Sequence, residues 1–143
     1  MTGPVAMPDR GRLPWRQRPV TWLAVGLARV LAEQPPGRIR WLLHQLRRGA
    51  RPASLAEAQA ARAAVVATST LCAGEGCLPR SIATTLLCRL RGTWPTWCTG
   101  VRTAPFAAHA WVEVAGTAVD EPYPAGYFRV VMAVPPPSPA RDH

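Results

Sequence analysis

The chain contains no lysine. All 17 of its basic residues are arginine, set against eight acidic residues, for a formal net charge of +9 over 143 residues. We read the missing lysine as coding bias, not as chemistry. A balance this basic usually points to nucleic acid, a membrane surface or an acidic peptide. The arginines are scattered, however, with close pairs at Arg10/Arg12, Arg16/Arg18, Arg38/Arg40, Arg47/Arg48 and Arg89/Arg91. None interleaves with aromatic side chains as on a base-stacking platform, so no nucleic-acid partner is expected. The four cysteines, Cys72, Cys77, Cys88 and Cys98, include no C-x2-C pair, which argues against a zinc site; no metal or other cofactor is expected. A clean secretory signal is also lacking. Arg16 and Arg18 do precede an apolar run, Thr21 to Ala28, but Arg29 and Glu33 follow closely and no small-x-small cleavage site comes after them. The run is too short to span a bilayer. Reduced thiols, a cytoplasmic location and no stable membrane insertion are therefore expected. No internal repeat is visible.

What is present suits one folded domain: 48% hydrophobic and 17% charged residues, with prolines gathered at the ends and in connections. Residues 1–18 read as a flexible basic arm and 135–143 as a disordered Pro-rich tail, leaving a single domain over 19–134. Helices are expected at 20–33, apolar nearly all round and hence buried, and at 38–48, with Ile39, Leu42, Leu43 and Leu46 on one stripe. A third is expected from the Ser54–Glu57 capping-box pattern to about Thr68, and a fourth from about Leu78 to Leu90. Strands are expected at 96–103, 108–114, 118–121 and 127–133, after the helices and as an antiparallel meander. The fold class is thus α+β.

Within this frame Cys77, His109 and Asp120 occur in that order, each in a context that suits chemistry. Cys77 follows Gly76 and opens the fourth helix, where unpaired N–H groups and aligned peptide dipoles favour a thiolate and can hold an oxyanion. Arg80 either adds positive potential or pairs with an acid. His109 lies in the alternating segment His109-Ala110-Trp111-Val112-Glu113-Val114. If Ala115-Gly116 is a two-residue turn, Val114 faces Thr117 and Trp111 faces Asp120. His109 and Asp120 are then diagonal neighbours roughly 7–8 Å apart, with Ala108, Ala110, Val112 and Val114 toward the core. Glu121 is the substitute if the register slips by one residue. Cys88 and Cys98 read as core residues, His44 and His143 as structural or tail groups, and Trp111 as a packing aromatic shielding the site.

The segments Cys77-Leu78-Pro79-Arg80-Ser81, Gly100-Val101-Arg102 with Pro105-Phe106, and His109-Ala110-Trp111-Val112-Glu113-Val114 with Gly116 resemble the transglutaminase-like cysteine protease of lasso-peptide biosynthesis, the leader peptidase. The resemblance implies a transglutaminase/papain-like core and a Cys-His-Asp triad at Cys77, His109 and Asp120. It implies hydrolytic removal of a leader from a ribosomal precursor peptide, after which an ATP-dependent cyclase closes a macrolactam on the freed amine. Helices, and no strand-rich module, precede Cys77. The resemblance is therefore to the standalone form, which implies a separate leader-recognition protein, and the macrolactam cyclase, as partners. Two other classes stay open on the residues alone: a thiol acyltransferase or transglutaminase of the same fold, and a non-catalytic basic peptide-binding protein.

Overall fold

The computed structural model describes residues 18–68, 76–124 and 126–137. Most of the expected arm, Cys72 and the chain after residue 137 lie outside the described residues. The helical half comprises α1 (Arg18–Ala32), α2 (Pro36–Leu46), α3 (Leu55–Thr68) and α4 (Cys77–Leu90). Arg18, assigned from sequence to the arm, opens α1. The Pro35-Pro36-Gly37 break is shorter than expected, because Pro36 takes the first turn of α2, where a missing N–H is harmless. The α3 start is a complete capping box: Ser54 N–H donates to Glu57 Oε1 (2.9 Å), and Glu57 N–H donates to Ser54 Oγ (3.1 Å). At the other end of α2, Arg89 donates to the carbonyls of Leu46 (2.7 Å) and Arg48 (3.0 Å), so a cation satisfies acceptors that a helix terminus leaves open.

Helix α4 is the centre of the helical layer, packed against α1, α3 and the sheet. Its residues Ser81 to Cys88 are all buried. Small side chains on α1 (Ala24, Ala28) and α3 (Ala58, Ala61, Ala64) let the helices approach closely, and Ile82, Leu87, Trp94, Trp97 and Val134 fill the core between helices and sheet. The expectation of an entirely buried α1 is corrected: Thr21, Ala24, Val25 and Ala28 are inside, while Trp22, Leu23, Leu27 and Val30 are exposed. A single layer of helices buries only one face of its outer member. Among the described residues no helix is long and apolar enough to cross a membrane.

Among the described residues six strands accompany the helices. β1 (Arg51–Pro52) and β2 (Thr93–Trp94) form a short parallel pair, which nothing in the sequence pattern announces. β3 (Thr96–Thr103), β4 (Phe106–Val114), β5 (Thr117–Ala118) and β6 (Arg129–Val134) make the main antiparallel sheet in the order β5-β4-β3-β6. This is not the expected meander, since β6 crosses over to pair with β3 on the far side. The crossing segment, from Val119 to Phe128, closes the back of the sheet. The front faces the helices through Trp97, Val112 and Val134, with the indole N–H of Trp97 donating to Ser81 Oγ of α4 (3.0 Å). The first proline residues after β6 are docked, with Arg47 donating to the carbonyls of Pro135 and Pro136.

Candidate active site

The site forms where α4 begins beside β4. Gly76, at the N-cap, has no side chain with which to cap the first N–H groups of α4. Cys77 is the first residue of the helix and is half-buried. Ser81 Oγ donates to the Leu78 carbonyl (2.9 Å) while accepting from Trp97, which fixes this end of the helix on the sheet. The Cys77 thiol is held below its ordinary pKa. The main cause is its hydrogen bond with the His109 side chain; burial opposes it, and the Ala110 backbone N–H and the positive charges of His109 and Arg80 assist.

That Ala110 N–H is free for sulfur because β5 stops early. The ladder between β4 and β5 pairs Val114 with Thr117 and Glu113 with Ala118, and its last bond runs from Val119 N–H to the Val112 carbonyl (2.9 Å). Alternate residues of a strand direct their N–H groups to the same side. One step further the partner of Ala110 would be Glu121. The chain instead turns at Asp120, whose φ is +51°, and the edge of β4 next to Ala110 is left for Cys77.

His109 shares the back face of the sheet with Trp111, and its ring is clamped there. It stacks on Trp111 and Phe128 with centroids 5.7 and 5.1 Å away and meets Tyr123 edge-on at 5.2 Å. The position opposite His109 on β3 is Gly100. A Cβ there would lie 2.7 Å from the Arg129 carbonyl oxygen and 2.8 Å from the Trp111 ring, so the packing needs a glycine. His109 Nε2 lies 2.6 Å from Glu121 Oε1, which leaves Nδ1 as the ring nitrogen for the thiol. The hydrogen bond to Cys77, then that to Glu121, raises the imidazole to about 9 against the desolvation of burial. At neutral pH His109 is accordingly imidazolium, and its charge favours the thiolate form of Cys77.

The structure brings together two of the three residues singled out from sequence, Cys77 and His109, and corrects the third. The two-residue turn is as expected: Ala115 and Gly116 both have positive φ, 51° and 82°, and the register holds through Val119. The left-handed backbone at Asp120 then rotates the chain, so Asp120 is exposed and accepts from Gln59 Nε2 (3.3 Å) on α3. Glu121 takes the place against His109, with its side chain only 5% exposed. Arg62, also on α3, sits 3.6 Å from the other oxygen of Glu121. Gln59 and Arg62 are three residues apart, on one side of the helix, and each holds one of the two adjacent acids. Neither was singled out from sequence. The available signal was that Gln59 and Arg62 are the two long polar side chains in the otherwise small and apolar stretch from Ala58 to Thr68, and half-buried polar groups need partners.

The remaining cysteines described play no part here. Cys88 and Cys98 are buried, and burial pushes their thiols up to about 11 and about 12. Among the described residues no group of three or more His, Cys, Asp or Glu side chains is placed to hold a metal ion. Cys77 and His109 together can present a thiol biased toward its thiolate beside an oriented proton donor, at the N-terminus of a helix. That is the equipment of thiol acyl chemistry.

No match to this chain was found among curated proteins or among solved structures. A family model does match, that of the transglutaminase-like superfamily, over residues 21–133, a span that takes in all of α2, α3, α4 and β1 to β5. The chain belongs to the transglutaminase-like superfamily, a fold consistent with cysteine peptidases and acyltransferases.

Proposed function

We propose that this chain is a cysteine peptidase that removes the leader from a ribosomal precursor peptide in lasso-peptide biosynthesis, acting in the cytoplasm with a separate leader-recognition protein and a macrolactam cyclase. The observation that carries the peptidase reading is the unbroken contact from Cys77 through His109 to Glu121. The leader assignment is supported by the similarity of the segments around Cys77, Gly100 and His109 to that peptidase.

In this reading the Cys77 thiolate attacks the carbonyl at the leader–core junction. A sulfur–carbon bond forms, and the carbon–nitrogen bond breaks as His109 gives its proton to the departing amine. The product is a thioester of the leader on Cys77. Water then gives a proton to neutral His109 and adds to the thioester carbonyl, and carbon–sulfur cleavage returns the thiolate and a leader carboxylate. Glu121 keeps Nδ1 of the ring toward sulfur and stabilises the imidazolium. Arg62 holds the second oxygen of Glu121 and so acts on the imidazole through it.

The test is mass spectrometry of a candidate precursor incubated with the chain, with and without a leader-binding partner. Cleavage at one junction is expected, lost in Cys77→Ala and His109→Ala. Intact precursor under all conditions, with Cys77 no more reactive than an ordinary thiol, sinks the reading. Conjugation of the leader to added methylamine in preference to water would reassign the chain as an acyltransferase on the same residues.

A further inference from the structure

Two cavities meet at His109, and they differ in kind. The one on the back of the sheet is about 360 Å³ and is walled by Glu113, Glu121 and the tyrosines and phenylalanine of the crossing segment. The one on the front is about 350 Å³ and opens directly at the Cys77 sulfur. Its wall is built by Pro36 and Ile39 of α2, Leu78 of α4, the cross-strand pair Val101 and Ala108, and Met132 of β6. Among the described residues no arginine or acid lines it, although the protein as a whole is strongly basic.

We infer that this front groove binds the acyl part of the substrate and selects a bulky apolar side chain within two residues of the carbonyl that Cys77 attacks. The inference rests on the peptidase reading and adds its specificity. The acyl part stays bonded to sulfur while the amine leaves past His109, whose ring is committed to the aromatic wall behind the sheet. The space at the sulfur and away from that wall is the front groove. Its volume takes one large side chain together with the adjoining backbone. An arginine, aspartate or glutamate there would lose its hydration with no partner on the wall, whereas burial of a leucine or phenylalanine is favourable.

A second observation points to a bound peptide in the same place. Among the described residues, Thr99 Oγ1 is the one buried side-chain polar atom with no hydrogen-bond partner, and Thr99 is part of this groove. Buried hydroxyls without partners are uncommon because leaving one unpaired is costly. Rotation of the Thr99 side chain about its Cα–Cβ bond brings that buried oxygen to the groove, where a peptide backbone supplies the missing N–H or carbonyl. Thr99 is thus assigned to hold substrate backbone, and the apolar wall to choose its side chain.

The experiment uses N-acetyl dipeptide p-nitrophenyl esters that share one leaving group and carry Gly, Leu, Phe, Asp or Arg at either residue before the ester. These need no leader-binding partner. At one of the two positions, kcat/KM for Leu or Phe is expected to exceed that for Gly and Asp by about 10- to 100-fold, the range set by burying one such side chain. Ala108→Glu, at an exposed position of the groove mouth, removes most of that preference, and Val101→Arg on the facing strand does the same if the first variant folds poorly. Thr99→Val lowers kcat/KM for every ester while leaving the order of preference intact. Alkylation of Cys77 by iodoacetamide at mildly acidic pH is followed in parallel. Equal rates across the series with Cys77 still selectively alkylated overturn the groove assignment and leave the peptidase reading standing. Loss of that selective alkylation overturns the peptidase reading itself.

Discussion

The two faces of the sheet are held by different forces. In front, Trp97, Val112 and Val134 meet α4 and its neighbours in a dry core of aliphatic and small side chains. Behind, His109 and Trp111 meet a crossing segment through ring contacts, and His109 is paired with the Glu121 carboxylate. Burial of apolar surface stabilises the first and is indifferent to which atom sits where, provided volume is kept. The second depends on particular atoms at particular distances. The packing that holds the fold and the contacts that orient the imidazole thus lie on opposite faces, with Cys77 beside both.

Variants can break this division in order of effect. Cys77→Ala is expected to abolish turnover, by about 10⁴-fold or more, with urea unfolding little changed. Glu121→Gln should cost about 10²- to 10⁴-fold in kcat/KM, because the imidazolium loses its counter-charge and its orientation. It should also move the pH profile. In the native chain the alkaline limb is expected near pH 9, where His109 loses its proton. Removing the Glu121 charge lowers that pKa, so the limb shifts to lower pH; an unmoved limb would dissociate Glu121 from the imidazole. On the other face, Leu87→Ala should cost about 2–5 kcal/mol of stability by denaturant titration, with kcat/KM below the unfolding transition changed only a few-fold. Ala115→Asn should do the reverse on a small scale. Ala115 is a non-glycine residue at φ +51° in the first position of a two-residue turn where asparagine is favoured. A gain of up to about 1 kcal/mol is expected with turnover unchanged. Asp120→Asn is the smallest: within about 2-fold in activity, since surface changes of this kind are near neutral, and a large loss there would return Asp120 to the site.

Much of this was legible before any coordinates. The four helices follow from apolar patterning and from the Ser54/Glu57 box. The pairing of β4 with β5 followed from the Ala115-Gly116 turn, and with it the placement of His109 on the face away from the helices. Cys77 and His109 were legible because local context, helix start and strand alternation, carried the information. Glu121 in place of Asp120 was not, because the choice between two adjacent acids depends on a single backbone torsion, and residue type alone does not report it: aspartate tolerates positive φ better than most residues but does not demand it. The crossing of β6 to β3 and the clamp from Arg62 were hidden for another reason. They join segments distant in sequence, and a periodic pattern describes only what one segment does.

The stop at Asp120 has a consequence beyond the choice of acid. A ribbon that went on zipping would have spent the amide of Ala110 on its neighbour's carbonyl and walled off the sulfur. The proposed reaction centre thus occupies a vacancy in an unfinished hairpin. A mutation that let the two strands close by one more rung would give a sturdier and inert protein, so selection for thermal resistance alone would tend to erase the activity.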